Sequence, residues 1–330
     1  LQNPKPLEDF ENKVIRFLQD GVPFLFIIDF DTTTKQVFTF DEAARENIFF
    51  NIKGNGNDKE LPSASFENSD FDLRPTLVSK EIYKQAFSTV KHELNTGNSF
   101  LLNLTFPTAL DTTVKLNEIY KKAYAPYKLL YKDKFVIFSP ECYLKIKDGN
   151  IFSYPMKGTI NSNVPNAEEL LLSNKKELYE HNTIVDLIRN DLSMIAKKVR
   201  VNKFRYVDKI KKGDQELLQT STEIQGELPE NWKKEFASLL LKTLPAGSIS
   251  GAPKKKTLEI ISKAEIAPRG FYTGIFGVFD GQQIDSAVSI RFIEKINDTL
   301  FYKSGGGITH LSEMEEEYQE LLEKIYVPII

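Results

Sequence analysis

The stretch "FVIFSPECYLKIKDGNIFSYPMKGT", residues 135–159, decides how the architecture reads. Its first half alternates as a strand does, and Asp148-Gly149-Asn150 is a strong turn signal with more apolar text beyond it. The segment therefore predicts strands joined by a hairpin. Lys157 is expected just past the hairpin, at a loop edge, with Gly158 allowing close backbone approach. Taken alone, the stretch makes Lys157 a solvated surface lysine.

Working outward, the same strand pattern recurs. "VPFLFIIDF" and "QVFTF" flank a polar "DTTTK" turn, "SFLLNLTFPTAL" reads as a buried strand, and residues 271–279 and 284–294 read as two more. Helical periods cover 79–95 (stopped by Gly97), about 115–124, 230–242, 253–263 and from about 312. The longest, 166–198, has a possible break near Ser173-Asn174. Residues 61–75, rich in Ser, Asp and Asn, read as a loop. Hairpin-linked strands interrupted by long helices predict an α+β fold with large, mostly antiparallel sheets.

Composition excludes several classes. The 330 residues can bury a large core, and 41% apolar content with 12% aromatics is globular. A net charge of -3 leaves no footprint for nucleic acid or an anionic membrane. The lysine clusters near 209–214 and 253–257 read as solvated faces. One cysteine, Cys142, and three histidines make a disulfide framework and a Cys/His zinc site poor readings. A bound metal would therefore be a hard ion on carboxylates, such as magnesium. The opening residues lack a signal-peptide pattern and no apolar run reaches membrane-spanning length, which reads as a cytoplasmic protein.

Two motifs are decoys. "FLFIIDFDTTT" imitates an aspartyl-phosphatase nucleophile, with Asp29 and Asp31 in the reactive places, but the strand that follows makes a hairpin turn the better reading. "GSISGAPKKKT" has the wrong spacing for a phosphate loop and reads as a glycine turn (Gly247, Gly251) opening a helix near Pro253. Gly305-Gly306-Gly307 offers further unobstructed amides, read as lying after a strand.

Carboxylates recur at helical spacing in two places. Glu313, Glu317, Glu320 and Lys324 border the apolar stripe of the last helix, and Glu177 and Glu180 are neighbours on the long one. Each helix reads either as an acidic solvated face or as half of a site whose partly buried carboxylates need a cation.

Taken together, "FSPECYLKI", "PMKGT", "ELYEHNTIVDLIRNDL", "LPAGSISGAPKKKTLEII", "RGFYTGIFGVFDGQQIDSAVSIR" and "GGGITHLSEMEEEYQELLEK" resemble, in this order, the chorismate-utilising enzymes. That group includes anthranilate, aminodeoxychorismate, isochorismate and salicylate synthases. The resemblance covers about residues 75–330 and implies sheets packed as a sandwich with helices outside. It makes 75–330 the catalytic core and 1–74 a strand-rich N-terminal segment integrated with it.

The resemblance implies roles residue by residue. Glu180 and Glu320 look like the principal magnesium ligands, with Glu177 and Glu317 beside them. Glu141 matches the general acid at the C4 hydroxyl. Tyr272 and Arg291 match the residues that hold the enolpyruvyl carboxylate. Thr159 and Gly305, Gly306 and Gly307 complete the anion pocket, with Lys324 and the Ser250-Gly251 turn among the substrate contacts. Anthranilate synthases usually carry "P-I-A-G-T" where this chain has Pro-Met-Lys-Gly-Thr, which is similar to the "P-I-K-G-T" of aminodeoxychorismate synthases. Lys157 thereby becomes the implied nucleophile, which must be neutral, so its pKa is expected below about 10.4.

Two positions depart from relatives. Leu101 stands where water-adding enzymes carry a lysine base, which disfavours isochorismate and salicylate formation, and Gln219 replaces a histidine. The implied activity is aminodeoxychorismate synthase component I, fed with ammonia by a glutamine amidotransferase subunit. The alternatives are anthranilate synthase component I and a non-catalytic chorismate-binding subunit.

Overall fold

A computed structural model describes residues 9–62, 71–212 and 215–329; most of the expected loop at 61–75 lies outside them. Two nine-stranded antiparallel sheets dominate. The first runs Met156–Asn161, Gln215–Glu227, Asn150–Ser153, Cys142–Lys147, Ile284–Val288, Ile275–Phe279, Phe24–Ile28, Lys35–Thr39, with Lys197–Lys212 also paired to Gln215–Glu227. The second runs Gly251–Ala252, Leu101–Asp111, Thr299–Thr309, Phe292–Ile296, Phe135–Ser139, Tyr127–Tyr131, Ile48–Ile52, Asn55–Gly56, with Arg74–Thr76 paired to Leu101–Asp111.

The alternation of one strand shows how the layers form. In "FLFII", Leu25 and Ile27 face Phe50, Leu129 and Ile137 of the other sheet inside the sandwich. Phe24, Phe26 and Ile28 face outward, under Val14 and Phe17 of helix Phe10–Asp20 and Phe236 of helix Trp232–Lys242. A strand buried on both faces is therefore apolar throughout, and each Phe contributes about 1.5–3 kcal/mol by leaving water. Helices Lys80–Asn95, Lys254–Ala264 and Met314–Glu323 cover the outer face of the second sheet around Leu102, Leu104 and Phe106.

Three expectations are corrected. The segment 284–294 is two strands, Ile284–Val288 and Phe292–Ile296, in different sheets, because Arg291 turns the chain with φ +53°. The adjoining run from 271 is a turn up to Gly274 and a strand only from Ile275, and it bonds that crossing through Thr273 N–H to Ser289 O at 2.8 Å. Gly305–Gly307 lie inside strand Thr299–Thr309, opposite Thr105, Leu104 and Asn103, rather than after a strand.

Other readings hold. Ser79 caps helix Lys80–Asn95, and Gly97 follows it with φ +78°. The long helical pattern is indeed broken at Asn174, between Ala167–Ser173 and Lys175–Ser193. Asp29 accepts bonds from Thr33 Oγ1 (2.8 Å) and Thr34 N–H (3.0 Å), the work of a hairpin turn.

Candidate active site

Lys157 lies within the edge strand Met156–Asn161 of the first sheet, not at a loop edge beyond it. A bulge falls between Lys157 and Thr159, where Gly158 has φ +80°. A Cβ at Gly158 would stand 3.2 Å from both Glu177 Oε2 and Leu171 Cδ1. Glycine is what lets the strand approach the glutamate helix. The bulge re-aims Lys157, whose Nζ reaches Glu180 Oε2 at 2.6 Å.

The helices Lys175–Ser193 and Met314–Glu323 bring Glu177, Glu180 and Glu320 into the field of Lys157. Lys176 and Glu316 tie them at the surface (3.3 Å), and the Tyr179 and His310 rings meet edge to face. Glu317 is only 4% exposed, and burial holds its carboxyl and that of Glu177 above the ordinary carboxylate range. Burial pulls Glu320 the same way, but Lys324 Nζ, 2.6 Å from its Oε1, brings the net shift below its ordinary value. Lys324 Nζ also donates to Gly305 O at 2.9 Å. A Cβ on Gly306 would lie 3.5 Å from Glu317 Oε2 and 3.8 Å from both Glu320 Oε1 and Lys324 Nζ, so the glycine strand forms the floor below the carboxylates.

The donor set is four carboxylates, and Glu177 Oε2 is buried with no hydrogen-bond partner among the described residues. An orphaned anionic oxygen among like charges suits a hard divalent cation. Among the described residues, no three Asp, Glu, His or Cys groups converge closely enough to hold an ion as placed. Glu180 and Glu320 are instead turned toward Lys157 and Lys324. The expectation of a depressed lysine pKa is corrected accordingly. Burial lowers it, but Glu180, Glu320 and Glu177 outweigh burial and hold Lys157 above its ordinary value.

Glu141 follows strand Phe135–Ser139, and its Oε1 accepts from Ser248 Oγ at 3.1 Å. Burial pushes its pKa up, opposed by Ser248, Lys324 and Lys157. Arg291 donates from Nη1 to Lys324 O at 2.6 Å and lies over the Tyr326 ring. Tyr272 is buried between the sheets against Phe292. The Thr159 side chain is exposed, and its backbone pairs with Gln219. The Ser250 hydroxyl is occupied with Ala246 O at 2.9 Å and is fully buried. Gly251 passes so close to Leu101 that a Cβ would stand 1.9 Å from Leu101 O.

The structure thus brings Lys157, Glu177, Glu180, Glu317, Glu320, Lys324 and the glycine strand together, and places Glu141 within the field of both lysines. Residue-by-residue reading missed Ser248 and the clamp beneath it, Asp191 to Lys254 at 2.9 Å. Both partners lie in quoted motifs, but no spacing rule links residues 141, 191, 248 and 254.

The sequence profile of the chorismate binding enzymes matches residues 26–329. The chain belongs to this family. A relative from Pasteurella multocida, described as an uncharacterized PabA-like protein, is 49% identical over 326 residues, covering 98% of this chain and 99% of the relative. The aminodeoxychorismate synthase component 1 of Bacillus subtilis is 26% identical over 364 aligned positions, covering 96% of this chain and 76% of that protein. Among solved structures, anthranilate synthase component I from Streptococcus pneumoniae superposes with a TM-score of 0.65 at 25% identity, over 81% of this chain and 62% of that one. The two-sheet sandwich of this chorismate-binding enzyme is the fold such neighbours share. Among the described residues, no helix is long and apolar enough to cross a membrane.

Proposed function

We propose that this chorismate-binding enzyme is aminodeoxychorismate synthase component I, converting chorismate and ammonia to 4-amino-4-deoxychorismate for p-aminobenzoate and folate synthesis. The observation that carries the reading is the place of Lys157, a primary amine on a bulged strand, 2.6 Å from Glu180 and within the field of glutamates from two helices.

In this reading Lys157 passes a proton to solvent, and the neutral Nζ bonds to C2 of the ring. Both ring double bonds shift by one bond, and the C4–oxygen bond breaks. Glu141, kept protonated more readily by burial, gives its proton to the departing hydroxyl, which leaves as water. Ammonia then forms a bond at C4, both double bonds shift back, the C2–Nζ bond breaks, and the surplus proton on the new C4 nitrogen returns to the released lysine amine. Magnesium, held by Glu180 and Glu320 with Glu177 and Glu317 beside them, would neutralise the ring carboxylate when bound. Arg291, with Tyr272 behind it, would meet the enolpyruvyl carboxylate with its planar fork. Thr159, Gly305 and Gly307 would line the anion pocket.

Leu101 supports amination over water addition. It is 7% exposed and its Cδ1 packs 3.3 Å from where a Gly307 Cβ would be, so it offers no base to activate water. The likeness to a protein named component 1 supports a separate glutamine amidotransferase subunit as ammonia source. The test is incubation with chorismate, magnesium and ammonium. The expected product becomes p-aminobenzoate only when a lyase is added. Anthranilate and pyruvate appearing without a lyase would overturn the reading in favour of anthranilate synthase, and binding without turnover would make the chain a chorismate-binding subunit.

A further inference from the structure

We infer that Ser248 is the positioning residue of Glu141, a role imposed by the rigid turn that carries its hydroxyl. The inference rests on Glu141 being the acid of the proposed reaction.

Ser248 sits in the one-turn helix Gly247–Ser250, and its Oγ donates to Glu141 Oε1 at 3.1 Å. That turn has little freedom. Asp191 accepts from the Gly247 N–H and pairs with Lys254 at 2.9 Å, while Lys254 Nζ donates to Thr243 O at 2.7 Å. A Cβ on Gly247 would meet Leu187 Cγ at 2.8 Å and Asp191 Oδ2 at 2.9 Å, so helix Lys175–Ser193 grips the turn directly. At its other end, the Ser250 hydroxyl returns to Ala246 O.

Glu141 needs such a holder. Its side chain borders a cavity of about 20 Å³ that Ser248, Tyr143, Asp191 and Thr243 also line, room for about one water. Without the serine hydroxyl the carboxyl has space to turn and only water to bind it. The charged groups acting on Glu141 are Lys157 and Lys324, with Asp191 across the cavity and Cys142 and Tyr143 beside it in the chain. A donated hydrogen bond favours the carboxylate, so Ser248 opposes the upward push of burial.

The experiment compares wild type, S248A and S248T in two measurements. One is the 13C titration of the Glu141 carboxyl, assigned by its loss in E141Q. The other is the pH dependence of chorismate consumption with magnesium and ammonium. In S248A the Glu141 titration is expected to move up by about half a pH unit or more, because a hydrogen bond to the ionised form is gone. The alkaline limb of kcat should move with it and kcat should fall about tenfold, with KM nearly unchanged. S248T should restore both. A Glu141 titration in S248A superposing on wild type would overturn the inference, as would equal impairment of S248A and S248T. If wild type consumes no chorismate, the proposed function falls, and the carboxyl titration still decides the role of Ser248.

Discussion

Lys157 and Glu180 are each other's counter-ions, Nζ to Oε2 at 2.6 Å, although one is the proposed nucleophile and the other a proposed metal ligand. The pair explains how a half-buried lysine coexists with Glu177, Glu180 and Glu320. Their field more than offsets the penalty of burying its charge.

The first test therefore separates charge from nucleophilicity. Lys157→Arg keeps a cation beside Glu180 but cannot form the C2 bond, while Lys157→Ala removes both. We expect each to lower ammonium-dependent chorismate consumption by about a hundredfold or more, with magnesium-dependent chorismate binding retained, as read by stopped-flow absorbance and calorimetry. Unchanged turnover in either variant would return Lys157 to the surface lysines.

Magnesium should stabilise the fold by relieving repulsion around Glu177 and Glu317. At a hundredfold excess over Kd, binding to the folded state alone contributes about 2.7 kcal/mol, visible as a rise in melting temperature. Glu180→Gln and Glu320→Gln should each abolish most of that rise. An equal rise in both variants would place the ion elsewhere.

The lone cysteine should be inert. Burial pushes the Cys142 thiol up to about 12, with Asp285 adding to the effect. Iodoacetamide at pH 8.5 should modify the folded protein far more slowly than the urea-unfolded chain. The sign for stability follows. The folded state keeps the proton that the unfolded thiol releases near pH 8.5, so this stabilisation is complete below that pH. As pH climbs toward about 12 the folded state, holding more protons, loses stability relative to the unfolded chain.

Arg269 ties the helical turn Gly247–Ser250 to strand Leu101–Asp111. It pairs with Glu265 at 2.6 Å and donates to Ile249 O and Asn103 O, its side chain only 2% exposed. Arg269→Met leaves the Glu265 charge buried and should cost about 3–5 kcal/mol in urea unfolding. A loss below about 1 kcal/mol would show that Glu265 finds another partner or takes up a proton.

Two glycines should separate fold from site. Gly251→Ala places a Cβ 1.9 Å from Leu101 O at φ +126°, and should destabilise the protein by about 2 kcal/mol or more. Gly306→Ala meets only ordinary contacts, the nearest at 3.5 Å on Glu317 Oε2, so the fold should tolerate it. Its effect should appear as weaker magnesium and chorismate binding. A melting temperature that falls more for Gly306→Ala than for Gly251→Ala would contradict this division.

The sequence alone determined what short-range physics encodes. Alternation gave the strands, helical period and caps gave the helices including the break at Asn174, and glycine marked the turns. Ordered motifs gave the family that the sequence profile matches. Tertiary structure alone decided that 284–294 crosses from one sheet to the other, because a left-handed Arg291 is held by Phe138 N–H on its carbonyl and by Lys324 O on its guanidinium, and not by its own propensity. It alone decided the charge on Lys157, since that depends on which carboxylates arrive from helices about 20 and 160 residues further along the chain. The hydroxyl on Glu141 likewise comes from residue 248, across a gap that no local pattern spans.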